Sequence, residues 1–521
     1  DTTVTLQGST PSITLTAAAG QRHLGVNLQG AGHKVFTIEQ LTLRGGRGGG
    51  QSGSLDFSGF SGDSLHLYND TFTDNSTTGK GGVAELWFRG GDAGTRVKIR
   101  DTIFSQNSAG DSGGALYVHI ERYPAPPGLP FTAGIIDISG GSFTNNTAPI
   151  LGGAIYIDSE DGNTGLLTLS DVTFTNNTAG HTGGAIRTNF PTEARDTTFT
   201  NNDAQMGGAI AETGTGAVTL DGSYFRNNDA TVTTGGAVTA LGAVTATGST
   251  FKSSSTQLHG GAIYTNGSIT LDQSLFESNS ARRYGGAVYT TGAVTSTDAT
   301  FTSNNARHRG GAIGGRTGVE ITESTFQANV SSDATNTSAD ATNTGSSGGA
   351  VYTRLGNITV TGGSFQSNLA SGSGAALWAA HDISASDVTF TDNRAAWDGG
   401  GLIAGDNVYV RDSSFNSNRA NGYVGGGISA GDSVDVAYST FNGNYAKYGG
   451  GAIDLFSGQM SVANSTLYNN EGGQRGGGIY ARQRVTDVDL SFVSSVKDWS
   501  FQGSSLGTFN DATTTVNLLG T

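Results

Sequence analysis

The chain has 521 residues, 83 of them Gly, with seven Pro, no Cys and a formal charge of −15. Collagen is excluded because Gly does not recur at every third position, a disulfide framework is excluded by the lack of Cys, and nucleic acid is disfavoured because phosphate binding needs a cationic footprint. No apolar run approaches the roughly 20 residues of a membrane-spanning helix, and the chain reads as an exported protein whose signal peptide has been removed.

Residues 1–70 carry alternating apolar pairs, Val4/Leu6, Ile13/Leu15, Leu41/Leu43 and Leu65/Leu67 among them. Alternation with period two is the mark of strands with one buried face. These residues read as irregular N-terminal coils. From 71 to 490 a regular motif takes over: a Phe, an Asn three residues on, then Gly-Gly about nine residues after the Phe. Adjacent copies run F-E-S-N-S-A-R-R-Y-G-G-A-V-Y from Phe276 and F-T-S-N-N-A-R-H-R-G-G-A-I-G from Phe301. Aliphatic pairs such as Ile269/Leu271 precede the Phe, an Ala such as Ala281 follows it, and an aliphatic residue such as Val288 follows Gly-Gly-Ala. Each period therefore holds three short strands and three turns, with no room for a helix.

A coil of this kind is one rung of a solenoid, so the fold class is all-β. The expectation is a single right-handed parallel β-helix, one domain of about 18–20 coils of about 25 residues. Stacking places Phe on Phe and Asn on Asn. The Asn is expected in a left-handed turn with its amide bonded to the Asn above and below, and Gly-Gly gives the opposite corner its positive φ and close approach. Residues 491–521 read as a C-terminal cap or assembly strand, with Trp499 in a short helical plug and Val516 and Leu518 in a final strand.

The repeats Gly152-Gly153-Ala154-Ile155, Gly183-Gly184-Ala185-Ile186 and Phe174…Asn177 resemble those of the polymorphic outer-membrane protein family, whose signatures are G-G-A-[ILV] and F-x-x-N. The resemblance implies export, surface display and adhesion.

Function on a solenoid is sought where the repeat is broken or decorated. Three successive coils lengthen one turn, at 88–95, 119–134 and 158–165, and a fourth insertion spans about 331–347. The middle one carries Arg122 and Tyr123. Directly after the inward aliphatic comes an outward position holding Tyr117, Tyr156, Tyr264, Tyr289, Tyr352 and Trp378. Aromatic rings with polar tips suit a glycan or a cell-surface receptor. Aligned acids such as Asp171/Asp196 and Asp387/Asp412 have the spacing for calcium, but Arg195 and Arg411 beside them oppose a cation, and no metal or other cofactor is assigned. Paired glycosidase carboxylates are missing, and the eight His do not cluster with Asp or Glu along the sequence, so no catalytic residue is assigned. The expected role is a non-catalytic structural or adhesive rod. It would associate head-to-tail through Val4 and Leu6 at one end and Trp499, Val516 and Leu518 at the other. The alternative is a polysaccharide-binding or polysaccharide-cleaving β-helix, and a lesser one an ice-binding face of outward Thr such as Thr295 and Thr359.

Overall fold

The computed structural model describes residues 2–9, 13–29, 33–90, 94–122, 132–160, 165–332, 346–491 and 499–501. The chain forms two compact units, Asp1–Gln257 with Ala262–Gly267, and Leu258–Gly261 with Ser268–Thr521. Each is a right-handed parallel β-helix without helices among its described residues.

In the first unit the repeat stacks in register. Phe104 aligns with Phe72 on one side and Phe143 on the other, and Leu116 with Ala84 and Ile155. The Phe rings lie face to face, 4.8 Å between centroids for Phe174–Phe199 with planes 4° apart, and are fully buried. The leading residues adopt the same coil without its corner motif. Leu15 aligns with Leu43 and Leu43 with Phe72, while Val4, Phe36, Leu65 and Val97 form one column. Thus Leu holds the Phe station before the repeat proper begins. Besides the three expected strands, a coil has a fourth of two residues at the Ala corner, as at Thr147–Ala148.

The second unit repeats this geometry from Phe276 to Leu467, with Phe301–Phe326 stacked at 4.7 Å and Phe441 aligned with Leu467. The last strand described, Trp499–Phe501, pairs in parallel with Ile479–Ala481. Trp499 therefore lies in a ladder and not in the expected helical plug; the coil edge offers its backbone partners that a plug would leave unused. Val516 and Leu518 lie outside the described residues.

The Asn column differs from expectation in one respect. Asn304 is buried; its Nδ2 donates to the Phe276 carbonyl at 2.9 Å and to Asn329 Oδ1 at 3.0 Å. Its own Oδ1 accepts the Asn279 N–H at 3.0 Å. The left-handed residue is the one before it: Ser303 has φ 57°, as Asp74 and Asn145 do in the first unit. The preceding residue turns the chain, and the Asn satisfies the backbone groups that the turn strands inside. The two glycines also divide their labour. Gly152 has φ +58°, while a Cβ on Gly153 would meet the Gly184 carbonyl at 2.0 Å. A further set of left-handed residues explains the aligned acids, since Asp171, Asp196, Asp387 and Asp412 all have φ between 47° and 58°. They stand where the backbone is left-handed, which Asp, Asn and Gly adopt most readily, though Gln273, Glu323 and Tyr438 hold the same place in other coils.

Candidate functional site

In an ordinary coil the strand after Gly-Gly-Ala has three residues, as in Ile186–Thr188. In three successive coils of the first unit it runs on: Ala84–Arg89, Leu116–Glu121 and Ile155–Ser159. The insertions expected as lengthened turns thus begin as lengthened strands. Since alternate residues face outward, each extension adds an outward place beyond the Tyr position. Trp87 aligns with His119 and His119 with Asp158; Glu85 aligns with Tyr117 and Tyr117 with Tyr156, which aligns with Arg187.

These side chains meet. The Trp87 ring lies 4.3 Å from His119, and its Nε1 donates to Glu121 Oε2 at 3.1 Å. Arg89 Nε donates to the same oxygen at 3.2 Å. His119 Nδ1 lies 3.6 Å from Asp158 Oδ2. Foremost the His119 imidazole, and then Arg187 and Lys80, hold the Asp158 carboxyl below its ordinary range against its burial. Lys80 Nζ sits 4.5 Å over the Tyr117 ring, and the Arg187 guanidinium 4.8 Å over Tyr156. Burial pushes the Tyr156 phenol up to about 12, and raises the Glu85 carboxyl.

The expected ligand-binding aromatics need correction. Tyr117, Tyr156 and Tyr352 point off the core but are only 2%, 7% and 4% exposed. Beside the sharp Gly-Gly corner a large ring folds onto the turn and onto its neighbour; Tyr352 lies 4.7 Å from Trp378 and accepts from Arg309 at 2.7 Å. Tyr264, Tyr289 and Trp378 remain half-buried. Arg122 is half-buried too, with its backbone N–H donating to Glu160 at 3.1 Å, and Tyr123 lies outside the described residues. In the Thr column, Glu320 stands between Thr295 and Thr359.

The face therefore has Tyr117 and Tyr156 as its floor and half-buried Trp87, His119 and Asp158 as its accessible groups. Sequence reading missed these three. The signal was the column two residues beyond Tyr117 and Tyr156, hidden because an insertion at a turn does not show in the sequence that it begins by extending a strand. His and Asp do associate, across coils: besides His119–Asp158, His381 Nδ1 lies 2.7 Å from Asp406 in the second unit. Among the described residues no group of three or more His, Asp or Glu is placed to hold a metal ion. An aromatic surface ringed by ionic and hydrogen-bonding groups can hold a polyhydroxylated ligand, its apolar ring face on Trp87 and its hydroxyls on Asp158, Glu121 and His119.

Five stretches of the chain, residues 101–119, 140–158, 171–189, 273–291 and 438–454, match the Chlamydia polymorphic membrane protein repeat. At these stretches the coils are similar to the polymorphic membrane protein repeat. No curated protein and no solved structure matches the chain.

Proposed function

We propose that this chain is a surface-displayed, non-catalytic adhesive β-helix that holds a glycan on the extended strands of its first unit. The observation that carries the reading is the three lengthened strands bringing Trp87, His119 and Asp158 together. Repeats of a membrane-protein family and the stiffness of a hydrogen-bonded ladder support display of such a face away from a cell. Glycan-array binding of the intact chain, beside Trp87→Ala and Asp158→Asn, tests it. Each variant is expected to bind at least tenfold more weakly, about 1.4 kcal/mol, while melting like the parent. Unchanged binding by both folded variants overturns the site. Cleavage of uronic-acid polymers that disappears with His119→Ala would replace adhesion by catalysis.

A second element of the reading is self-association through a coil end, favoured by the exposed edge strand Thr2–Gln7, where Val4 is 50% exposed. Among the described residues this strand pairs only with Lys34–Glu39. An unpaired strand edge is a template for another chain.

A further inference from the structure

Most corners before Gly-Gly in the second unit carry at most one charged residue, as in Ser371-Gly372-Ser373 and Ala396-Trp397-Asp398. Two successive coils break that rule with Arg282-Arg283-Tyr284 and Arg307-His308-Arg309. They lie directly over one another. Ala281 aligns with Ala306, Tyr284 bridges to both His259 and Arg309, and the N–H groups of His308 and Arg309 both donate to the Arg283 carbonyl. Arg282 and Arg283 are exposed, while Arg307, His308 and Arg309 are half-buried. A chain of net charge −15 thus gathers four guanidiniums and an imidazole on two adjoining turns.

The neighbouring surface is aromatic. His259 stacks on Tyr284 at 4.8 Å and on Tyr289 at 4.7 Å, and Arg309 lies 6.0 Å over Tyr284. Burial, and then the charges of Arg283 and His308, hold the His259 imidazole down at about 4, so it is a neutral ring at physiological pH. Like charges on facing positions of adjacent strands destabilise a sheet, and rungs stack at about 4.8 Å. Arg309 is used by the fold, donating to Tyr352, while Arg282 and Arg283 stand exposed on the turn.

We propose that this corner binds an anionic polysaccharide, one bearing sulfate or carboxylate groups on successive sugars. Guanidinium forks take sulfate and carboxylate in bidentate fashion. The footprint is two turns tall, which fits one linear chain and not a duplex with two phosphate backbones. With charges screened beyond about 8 Å at physiological salt, the acidity of the remaining surface does not cancel the local attraction. This site is independent of the face around Trp87.

The test is binding of the full chain to heparin, unmodified dextran and a single-stranded oligonucleotide at physiological salt, with Arg282→Ser/Arg283→Ser, Arg282→Lys/Arg283→Lys and Trp87→Ala alongside. The expected result is heparin binding weakened at least tenfold by the Ser pair, weakened less by the Lys pair, unchanged by Trp87→Ala, and no binding to dextran. Removing facing charges should leave the melting temperature of the Ser pair equal to the parent or higher, which a loss of structure would not do. Heparin binding equal in parent and Ser pair overturns the proposal. Tighter binding of the oligonucleotide than of heparin overturns the polysaccharide assignment.

Discussion

At single positions the ladder ties one side chain to two backbone groups, and that sets what each substitution costs. Asn304→Ala leaves the Asn279 N–H and the Phe276 carbonyl without their partner inside the core. A buried donor left unsatisfied costs roughly 1–3 kcal/mol, so a loss of about 2–4 kcal/mol is expected in denaturant melts. Asn304→Ser should lose less, because Ser254 already occupies the column and its Oγ accepts the Asn228 N–H at 3.4 Å. Equal losses would mean that the amide is replaceable. Asp70 carries a pH dependence. Its carboxylate is buried and accepts the Leu41 N–H at 2.9 Å and the Tyr68 N–H at 3.1 Å, yet burial raises its pKa to about 7. The folded chain keeps this proton through a range where the unfolded chain has lost it. Stability should therefore fall as pH rises from about 4 to about 7. The next coil places Thr102 at this station. Asp70→Thr should flatten the fall and raise the melting temperature above pH 7, whereas parallel curves for parent and variant would remove Asp70 as its source.

The coil is the unit at the next scale, and coils contact only their neighbours. Deleting residues 390–414 removes one full period and joins Thr389 to Phe415, so every column of the second unit closes over the gap. That variant should melt cooperatively with circular dichroism typical of strand. Deleting 390–409 removes less chain but shifts every inward residue off its column and should not fold; comparable melts for the two would undo the argument from register. This periodicity is why the architecture was legible in the sequence: Phe, Asn and Gly-Gly have one repeated physical task each, and fourteen aligned Phe leave little freedom. The face around Trp87 was less legible. Its residues come from different coils, with His119 and Asp158 39 positions apart, and they become neighbours only because the strands were extended where turns were expected. The burial of Tyr117 was hidden for a related reason. An outward position in a strand pattern says that a ring leaves the core; it does not say that Lys80 and Tyr156 will cover it.

For the molecule as a whole, strands and charge act together on association. Core-facing residues lose exposure stepwise along the first unit: Val4 is 50% exposed, Phe36 8%, and Leu65 and Val97 fully buried in the same column. Ile13 and Leu15 are likewise half-covered, while Leu41 and Leu43 beside them are buried. The coil containing Thr2–Gln7 thus presents both a strand edge and partly exposed apolar side chains, and burying them against another chain is favourable. Opposing this, the net charge of −15 repels a second copy at low salt. Light scattering of the 521-residue chain should accordingly show mass rising with concentration and rising further with added salt. Val4→Lys/Leu6→Lys should suppress both trends, because edge lysines block pairing. The stoichiometry then distinguishes two geometries. Contact between identical ends is isologous and stops at a dimer, whereas contact between unlike ends is heterologous and continues into filaments. A plateau at twice the monomer mass would leave the edge as an interface and reject the filament; a single monomer mass at every concentration and salt would reject association through this end altogether.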